Sequence, residues 1–385
     1  MLQAEGAGEC LRRNIPFVIY ALPGDEECRF MASLPDAEGE SHARMEGEGD
    51  CFFISRFASD EPYMAGVTDE MDEEALVDFL AEHPDTMYDG CDERPYLTST
   101  RRVSYDEAFH MMTRRLKKDG GKVVLSRHEA LFGTADIIDT ARSYFSLSPN
   151  TLRYLCFTPE NGVWLGATPE LLLEAVPGSG ELHTMALAGT LPAGVSGVEW
   201  DDKNMLEHEV VVRFITDVLR SHDLEVTTDP ITELEAGIVT LLCTPITARG
   251  EIKSAGRIIN DLNPTPAVAG WPRQLAIAEI DAYETHQRRC YSGITGVRQG
   301  GVLRVFVNLR CAFAAQARID EVTGWVYNLY AGGGLMPDSV LDEEWAETER
   351  KLAALYACIE SPVTSSPGTS PGPVTVNPTE SRFLY

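Results

Sequence analysis

Two carboxylates and an ammonium stand at Glu344, Glu347 and Lys351, spaced i, i+3 and i+7 along a stretch that reads as a helix from Asp342 to Ile359. One helix face therefore carries all three. Such a face either lies in water, with an ordinary Glu-to-Lys pair one turn apart, or confronts a polar ligand. Just ahead of it, Tyr330-Ala331-Gly332-Gly333-Gly334-Leu335 puts three glycines after a strand. Backbone without Cβ atoms can approach a ligand and present N–H groups to an anion, and a tight turn would use the same residues. The spacing is not that of a P-loop, so a nucleotide phosphate is not indicated.

A second helix holds Glu207-His208-Glu209. The HExxH zinc arrangement is absent because Val212 stands where the second histidine would be. Oxygen-only ligation by Glu207 and Glu347 would suit magnesium; a surface glutamate is the plain alternative at Glu207. Lys122 opens an apolar run, Val123-Val124-Leu125, where its ammonium either reaches back to water or loses its charge and acts as a base. Gly166-Ala167-Thr168-Pro169-Glu170 sets a carboxyl between two apolar runs, as a general acid or as an ordinary turn residue. Arg310, in Val307-Asn308-Leu309-Arg310-Cys311, is expected inside a strand, where a guanidinium needs a planar anion from the protein or from a substrate.

The elements that must position these groups are mostly strands. Apolar, β-branched runs lie at 122–126, 163–166, 171–176, 239–243, 302–309 and 324–330, most of them separated by turn residues. Helical periodicity marks 105–116, 203–221, 273–282 and 342–359. Strands in the majority with helices inserted singly predict an α+β fold with large sheets, and no internal repeat is present. Residues 1–100 alternate short apolar runs with acidic, Gly-rich connectors and carry no chemical motif. Residues 361–385 are Ser, Thr, Pro and Gly with few apolar side chains, and are expected to be a disordered tail.

The 385 residues carry 60 acidic and 32 basic side chains, a formal charge of −28, which excludes nucleic acid and anionic lipid as natural partners. A site for an anionic substrate must then gather local cations or a metal. Nine scattered cysteines, none in a C-x-x-C pair, fit neither a zinc ribbon nor a disulfide framework, and point to a reducing cytoplasm. The run Ile15–Leu22 is short and ends at Pro23-Gly24, so it reads as a buried strand rather than a leader, and no stretch is long enough to span a membrane.

The order of these motifs resembles the chorismate-utilising enzymes, from about Tyr105 to Ala357. The stretches that carry the resemblance are Lys122-Val-Val-Leu-Ser-Arg127, Gly166–Glu170, Ala186-Leu-Ala-Gly-Thr190, Asp202–Val211, Thr244-Pro245, Pro264–Gly270, Tyr291-Ser-Gly293, Leu309-Arg310, Leu329–Gly334, and Glu344–Thr348 with Lys351. The resemblance implies one chorismate-binding domain over 1–360, with its motifs in 101–360. The implied fold is two large antiparallel sheets packed face to face with helices outside. Ala188 stands where amine-forming members carry a nucleophilic lysine, and the Glu207-His-Glu-Val-Val run is similar to isochorismate synthases. Water is then the implied nucleophile.

Carried over residue by residue, Lys122 is implied as the base that activates water for attack at C2 of chorismate. Glu170 is implied as the acid that protonates the departing C4 hydroxyl. Glu207 and Glu347, with Glu344 through water, would hold Mg²⁺. Tyr291, Arg310 and the backbone near Gly332 and Gly334 would receive one substrate carboxylate, with Lys351 offsetting further charge, and Gly189 and Thr190 would contact the ring carboxylate region. Three departures stand out: Leu241 in place of a histidine, Asn263 in Leu-Asn-Pro where His is usual, and Cys290 where Trp is common. The reading is a cytoplasmic, monomeric, Mg²⁺-dependent isochorismate synthase of menaquinone synthesis. The alternatives are a salicylate synthase that also releases pyruvate, and a catalytically idle chorismate-binding protein.

Overall fold

A computed structural model describes residues 4–59, 64–192, 200–236, 239–319, 321–360 and 382–383. Its strands form two sheets in which every paired neighbour is antiparallel. Sheet A runs β14 (Gly270–Trp271), β6 (Lys122–Gly133), β18 (Val322–Leu335), β17 (Cys311–Ile319), β8 (Gly162–Thr168), β7 (Leu152–Thr158), β1 (Phe17–Ala21) and β2 (Arg29–Ala32), with β19 (Arg382–Phe383) added beside β17. Sheet B runs β11 (Glu225–Thr228), β13 (Val239–Arg249), β10 (Glu181–Pro192), β9 (Leu171–Ala175), β16 (Val302–Val307), β15 (Ile294–Gln299), β4 (Cys51–Ile54), β5 (Met64–Thr68) and β3 (His42–Ala43), with β12 (Thr232–Ala236) beside β13. The helices are α1 (Ala4–Arg13), α2 (Glu73–Glu82), α3 (Arg102–Asp119), α4 (Ile137–Ser146), α5 (Asp202–Ser221), α6 (Ala255–Leu262), α7 (Arg273–Tyr283) and α8 (Leu341–Glu360).

The near-continuous apolar runs follow from strands covered on both faces. In β1, Val18 and Tyr20 point into the layer between the sheets, where Phe52, Ile54, Trp164 and Phe306 meet them; Phe17 and Ile19 point outward under helices. The same alternation divides Leu155 and Phe157 from Tyr154 and Cys156 in β7. Outside sheet A the apolar faces of α1, α2, α4 and α8 close one core, and α5 and α6 close another over sheet B. Each fully buried Val, Leu, Ile or Phe in these layers contributes roughly 1.5–3 kcal/mol relative to exposure. The α+β architecture of two large sheets with helices outside is the one expected.

Several elements differ from their expected extents. Four helices, α1, α2, α4 and α6, were not anticipated. α1 contains two glycines, α6 one, and α4 opens Ile-Ile, weak helix formers that packing against the sheets overrides. The glycine triplet is not a turn after a strand. It lies within β18, where Gly332, Gly333 and Gly334 pair with Ser126, Leu125 and Val124 of β6. Arg310 is not inside a strand either: it sits in the bend between β16 and β17 with φ +49°, in the left-handed region. The expected disordered tail falls outside the described residues, except that Arg382 and Phe383 pair with Arg318 and Ala317. Among the described residues no helix is long and apolar enough to cross a membrane.

Candidate active site

β6 and β18 are the backbone of the site. Lys122 is the first residue of β6 and its side chain is wholly buried, so it does not reach back to water. Its Nζ lies 2.9 Å from Glu207 Oε1 of α5, an ion pair whose angle makes no hydrogen bond. Gly334 of β18 lies beneath this pair. A Cβ there would stand 2.2 Å from Glu207 Oε1 and 2.8 Å from Lys122 Cε. Next to it, a Cβ on Gly333 would meet Glu344 Oε2 at 2.9 Å. The glycines are thus explained by side chains from α5, α8 and β6 lying directly on the strand.

Two more lysines neutralise the other two glutamates. Lys351 Nζ lies 2.6 Å from Glu347 Oε1, one turn earlier on α8, and donates to the Gly332 carbonyl at 2.8 Å. Lys203 at the start of α5 sits 2.6 Å from Glu344 Oε1, which also accepts from Ser339 Oγ at 2.7 Å. Sequence reasoning did not single out Lys203. Its position four residues before Glu207 was the available signal. Burial first, and then the nearby Glu347 carboxylate, raise the Glu344 carboxyl above its usual range.

Glu344 Oε2 is buried and has no hydrogen-bond partner. An orphaned carboxylate oxygen beside two further glutamates is an oxygen-only donor set, and its chemistry fits Mg²⁺. The oxygens of Glu207, Glu344 and Glu347 do not all lie within 4.8 Å of one another. Among the described residues only the exposed Asp36, Glu40 and His42 do.

Beside these residues lies a cleft, partly open to solvent. Glu170, Gly189, Glu207, Tyr291, Arg310, Gly332, Gly334, Glu347 and Lys351 all border it. Lys122 adjoins it through Glu207, and Glu344 lies behind Gly333. The Thr190 side chain lies outside the described residues. Gly189 has φ +78° and occupies a bulge between Ala188 and Thr190, where the pairing of β10 with β13 slips by one residue. Tyr291 stacks on Tyr330 at 5.5 Å between ring centroids, and Tyr330 stacks in turn on Trp164 at 5.9 Å. The apolar wall, with Leu187, Ala188, Leu241, Val268 and Leu309 in it, was not predicted as such, although most of these residues lie within the motifs quoted above.

Glu170 is the most perturbed acid of the cleft. It sits between β8 and β9, 4% exposed, and its carbonyl accepts from Val307 N. Burial pushes its carboxyl up to about 8, against the opposing pull of Lys122 and Lys351. It is not an ordinary turn residue. Arg310, whose backbone carbonyl accepts from Tyr144 Oη at 2.9 Å, is held below its usual value by burial and feels the charge of Glu347. The cleft combines a carboxyl that keeps its proton at neutral pH, a buried lysine, a guanidinium and clustered carboxylates. That set can donate and accept protons on a small anionic substrate.

The fold has counterparts among known proteins. The profile of the chorismate binding enzyme family matches residues 54–360, and the chain belongs to that family. It is 29% identical over 287 residues to isochorismate synthase MenF of Escherichia coli (strain K12), covering 69% of this chain and 63% of that protein. It is 32% identical over 250 residues to isochorismate synthase EntC of the same strain, covering 61% of each. It is 36% identical over 216 residues to the salicylate biosynthesis isochorismate synthase of Pseudomonas aeruginosa, covering 52% of this chain and 43% of that one. The matched stretch thus spans less than two thirds of each of these relatives.

The solved structure of Escherichia coli MenF, described as the menaquinone-specific isochorismate synthase, shares the fold. Its TM-score is 0.70 at 21% identity, over 90% of this chain and 89% of that one. The putative 2,3-dihydroxybenzoate-specific isochorismate synthase DhbC of Bacillus anthracis follows at 0.67 and 21%, over 89% and 96%.

Proposed function

We propose that this protein is a Mg²⁺-dependent isochorismate synthase, an isomerase that adds water at C2 of chorismate and expels the C4 hydroxyl as water while the ring double bonds shift. The observation that carries the reading is Glu170, a carboxyl sealed into the wall of a charged cleft and pushed up to about 8. At neutral pH it holds the proton that a departing hydroxyl requires. Lys122 is the assigned base that takes a proton from the attacking water. Ala188 offers no amine that could replace water as nucleophile.

Arg310, Tyr291, the Gly332–Gly334 backbone and Lys351 bind one substrate carboxylate, and the Gly189–Thr190 bulge adjoins the ring carboxylate. Glu207, Glu347 and Glu344 are the residues that would hold Mg²⁺, which would neutralise a carboxylate of the substrate. The relatives named isochorismate synthase support the reaction, and the menaquinone-specific neighbour in fold supports a role in menaquinone synthesis. The same reading takes residues 1–360 as one chorismate-binding domain, acting as a monomer in the cytoplasm.

The test is purified protein with chorismate and Mg²⁺, with and without EDTA, products separated by HPLC and pyruvate assayed. Isochorismate without pyruvate, abolished by EDTA, is the expected result. Salicylate with pyruvate would make it a salicylate synthase, and an absence of turnover would leave a chorismate-binding protein without catalysis.

A further inference from the structure

Arg127 is wholly buried on β6, and because side chains alternate along a strand it points to the face opposite Lys122, toward α8. An apolar side chain of similar length could pack a helix onto that face, and burying a guanidinium is costly. What the guanidinium adds is direction. Its Nε donates to Thr348 Oγ1 at 2.6 Å, and that hydroxyl donates in turn to the Trp345 carbonyl at 2.7 Å. Nη1 pairs with Glu129. The Arg127 Cζ also lies 4.1 Å from the centroid of the Trp345 ring, which Arg102 approaches at 5.0 Å and Tyr105 meets edge-on at 5.1 Å.

The held positions interleave with the carboxylates. Trp345 follows Glu344, and Thr348 follows Glu347. Successive helical residues stand about 100° apart around the axis, and residues three apart share a side. Trp345 and Thr348 thus form one edge of α8, and Glu344 and Glu347 the next edge round. With the first edge fastened to β6, α8 cannot turn about its axis without breaking these contacts. The second edge is thereby held in place, Glu344 against Gly333 and Glu347 at the border of the cleft. Arg127 itself does not line that cleft.

We propose that Arg127 is a positioning residue for the Mg²⁺ carboxylates, fixing through Thr348 and Trp345 the rotation of α8 that aims Glu344 and Glu347. The inference rests on the Mg²⁺ reading of those two residues given above. Groups that orient metal ligands from behind govern affinity even though they touch neither metal nor substrate. β6 then carries both Lys122, the assigned base, and the anchor of α8, so a single strand sets the base and two of the three carboxylates relative to one another.

Thermal melts of the full chain across a MgCl₂ series at fixed ionic strength read stability from the metal-free midpoint and affinity from the rise of that midpoint with Mg²⁺. Wild type is expected to rise. Arg127→Met, which keeps the bulk and removes the donors, should weaken Mg²⁺ binding roughly 10–100-fold, and Thr348→Val, which removes the acceptor of the same bond, should do likewise. The double variant should lose no more than either single one, since both break one contact. Thr348→Ser, which keeps the hydroxyl, should bind Mg²⁺ as wild type does. Arg298→Met removes another buried arginine, one that donates to the Gly49 and Glu48 carbonyls far from α8, and should lower the metal-free midpoint while leaving Mg²⁺ affinity unchanged. If Arg127→Met does not fold, Thr348→Val, close to isosteric, carries the test. The proposal is overturned if folded Arg127→Met or Thr348→Val binds Mg²⁺ as tightly as wild type, or if Arg298→Met weakens it as much as they do. A wild-type midpoint that ignores Mg²⁺ would instead overturn the Mg²⁺ reading, and this inference with it.

Discussion

For Glu170, the proposed role as acid is tied to stability. Its carboxyl is pushed up to about 8 in the folded protein, from an ordinary value of 4.5. The folded state therefore binds this proton more tightly than the unfolded chain does. The group imposes no stability penalty below about 4.5, and an increasing one as pH rises toward 8, on the order of 3 kcal/mol by pH 7. Glu170→Gln should accordingly melt higher than wild type at pH 8.5 while turning over chorismate roughly 10²–10⁴-fold more slowly. Melting curves at pH 5 and pH 8.5 check the first part, and an equal melting difference at both would refute it. Wild-type kcat/KM should fall as pH rises through about 8, because the acid must be protonated. Lys122→Ala is expected to lose at least about a hundredfold in chorismate consumption; turnover at the parental rate would dismiss Lys122 as the base. The sequence made both residues visible as unusual types in apolar surroundings, but left each with a bland alternative. Burial removes those bland alternatives, a lysine reaching back to water and an exposed turn glutamate, and it was not legible because it depends on elements distant in the chain.

At the scale of elements, the glycine triplet was visible as either a segment of close approach or a turn, and local pattern did not choose between them. β18 runs straight through the three glycines, with β6 paired on one side and two helices delivering side chains onto its surface. The relevant neighbours, Glu207 and Glu344, lie on α5 and α8, and local pattern carries no trace of that contact. Gly334→Ala should therefore leave secondary structure intact and disrupt the Lys122–Glu207 pair. Turnover is expected to drop by about two orders of magnitude, with a loss of stability of roughly 1–3 kcal/mol from overpacking. Denaturant melts and an HPLC assay read the two separately, and full activity in a folded variant would show that the close approach is immaterial. The extents of α3, α5, α7 and α8 were largely legible because their apolar positions recur at helical spacing. The helices that escaped, such as α4 with its Ile137-Ile138 start, owe their form to packing under α8 and beside β7.

Over the whole molecule, the −28 charge and the cations Arg310 and Lys351 of the cleft act in opposite directions on the dicarboxylate substrate of the proposed reaction. The surface charge repels it at distance, and that repulsion is screened once the Debye length shortens to ~10 Å near 0.1 M salt. The contacts inside the cleft are screened far less. Raising ionic strength from about 10 to 150 mM with Mg²⁺ held constant should thus increase kcat/KM for chorismate; a decrease would show that the cleft's own field already dominates at long range. The two-sheet architecture was readable from strand-rich patterning together with the motif order, whereas the pairing of strands was not, since neighbours in a sheet are rarely neighbours in sequence. β6 and β18 are the extreme case: they share eleven paired positions, from Trp325 opposite Gly133 to Leu335 opposite Val123, yet lie roughly two hundred residues apart. During synthesis Lys122 therefore leaves the ribosome long before the strand that covers it, and at about 5–20 residues per second it waits some ten seconds or more for its partner. Throughout that interval β6 lacks its β18 neighbour and that edge is open to mispairing, and α8, the last helix among the described residues, brings Glu344 and Glu347.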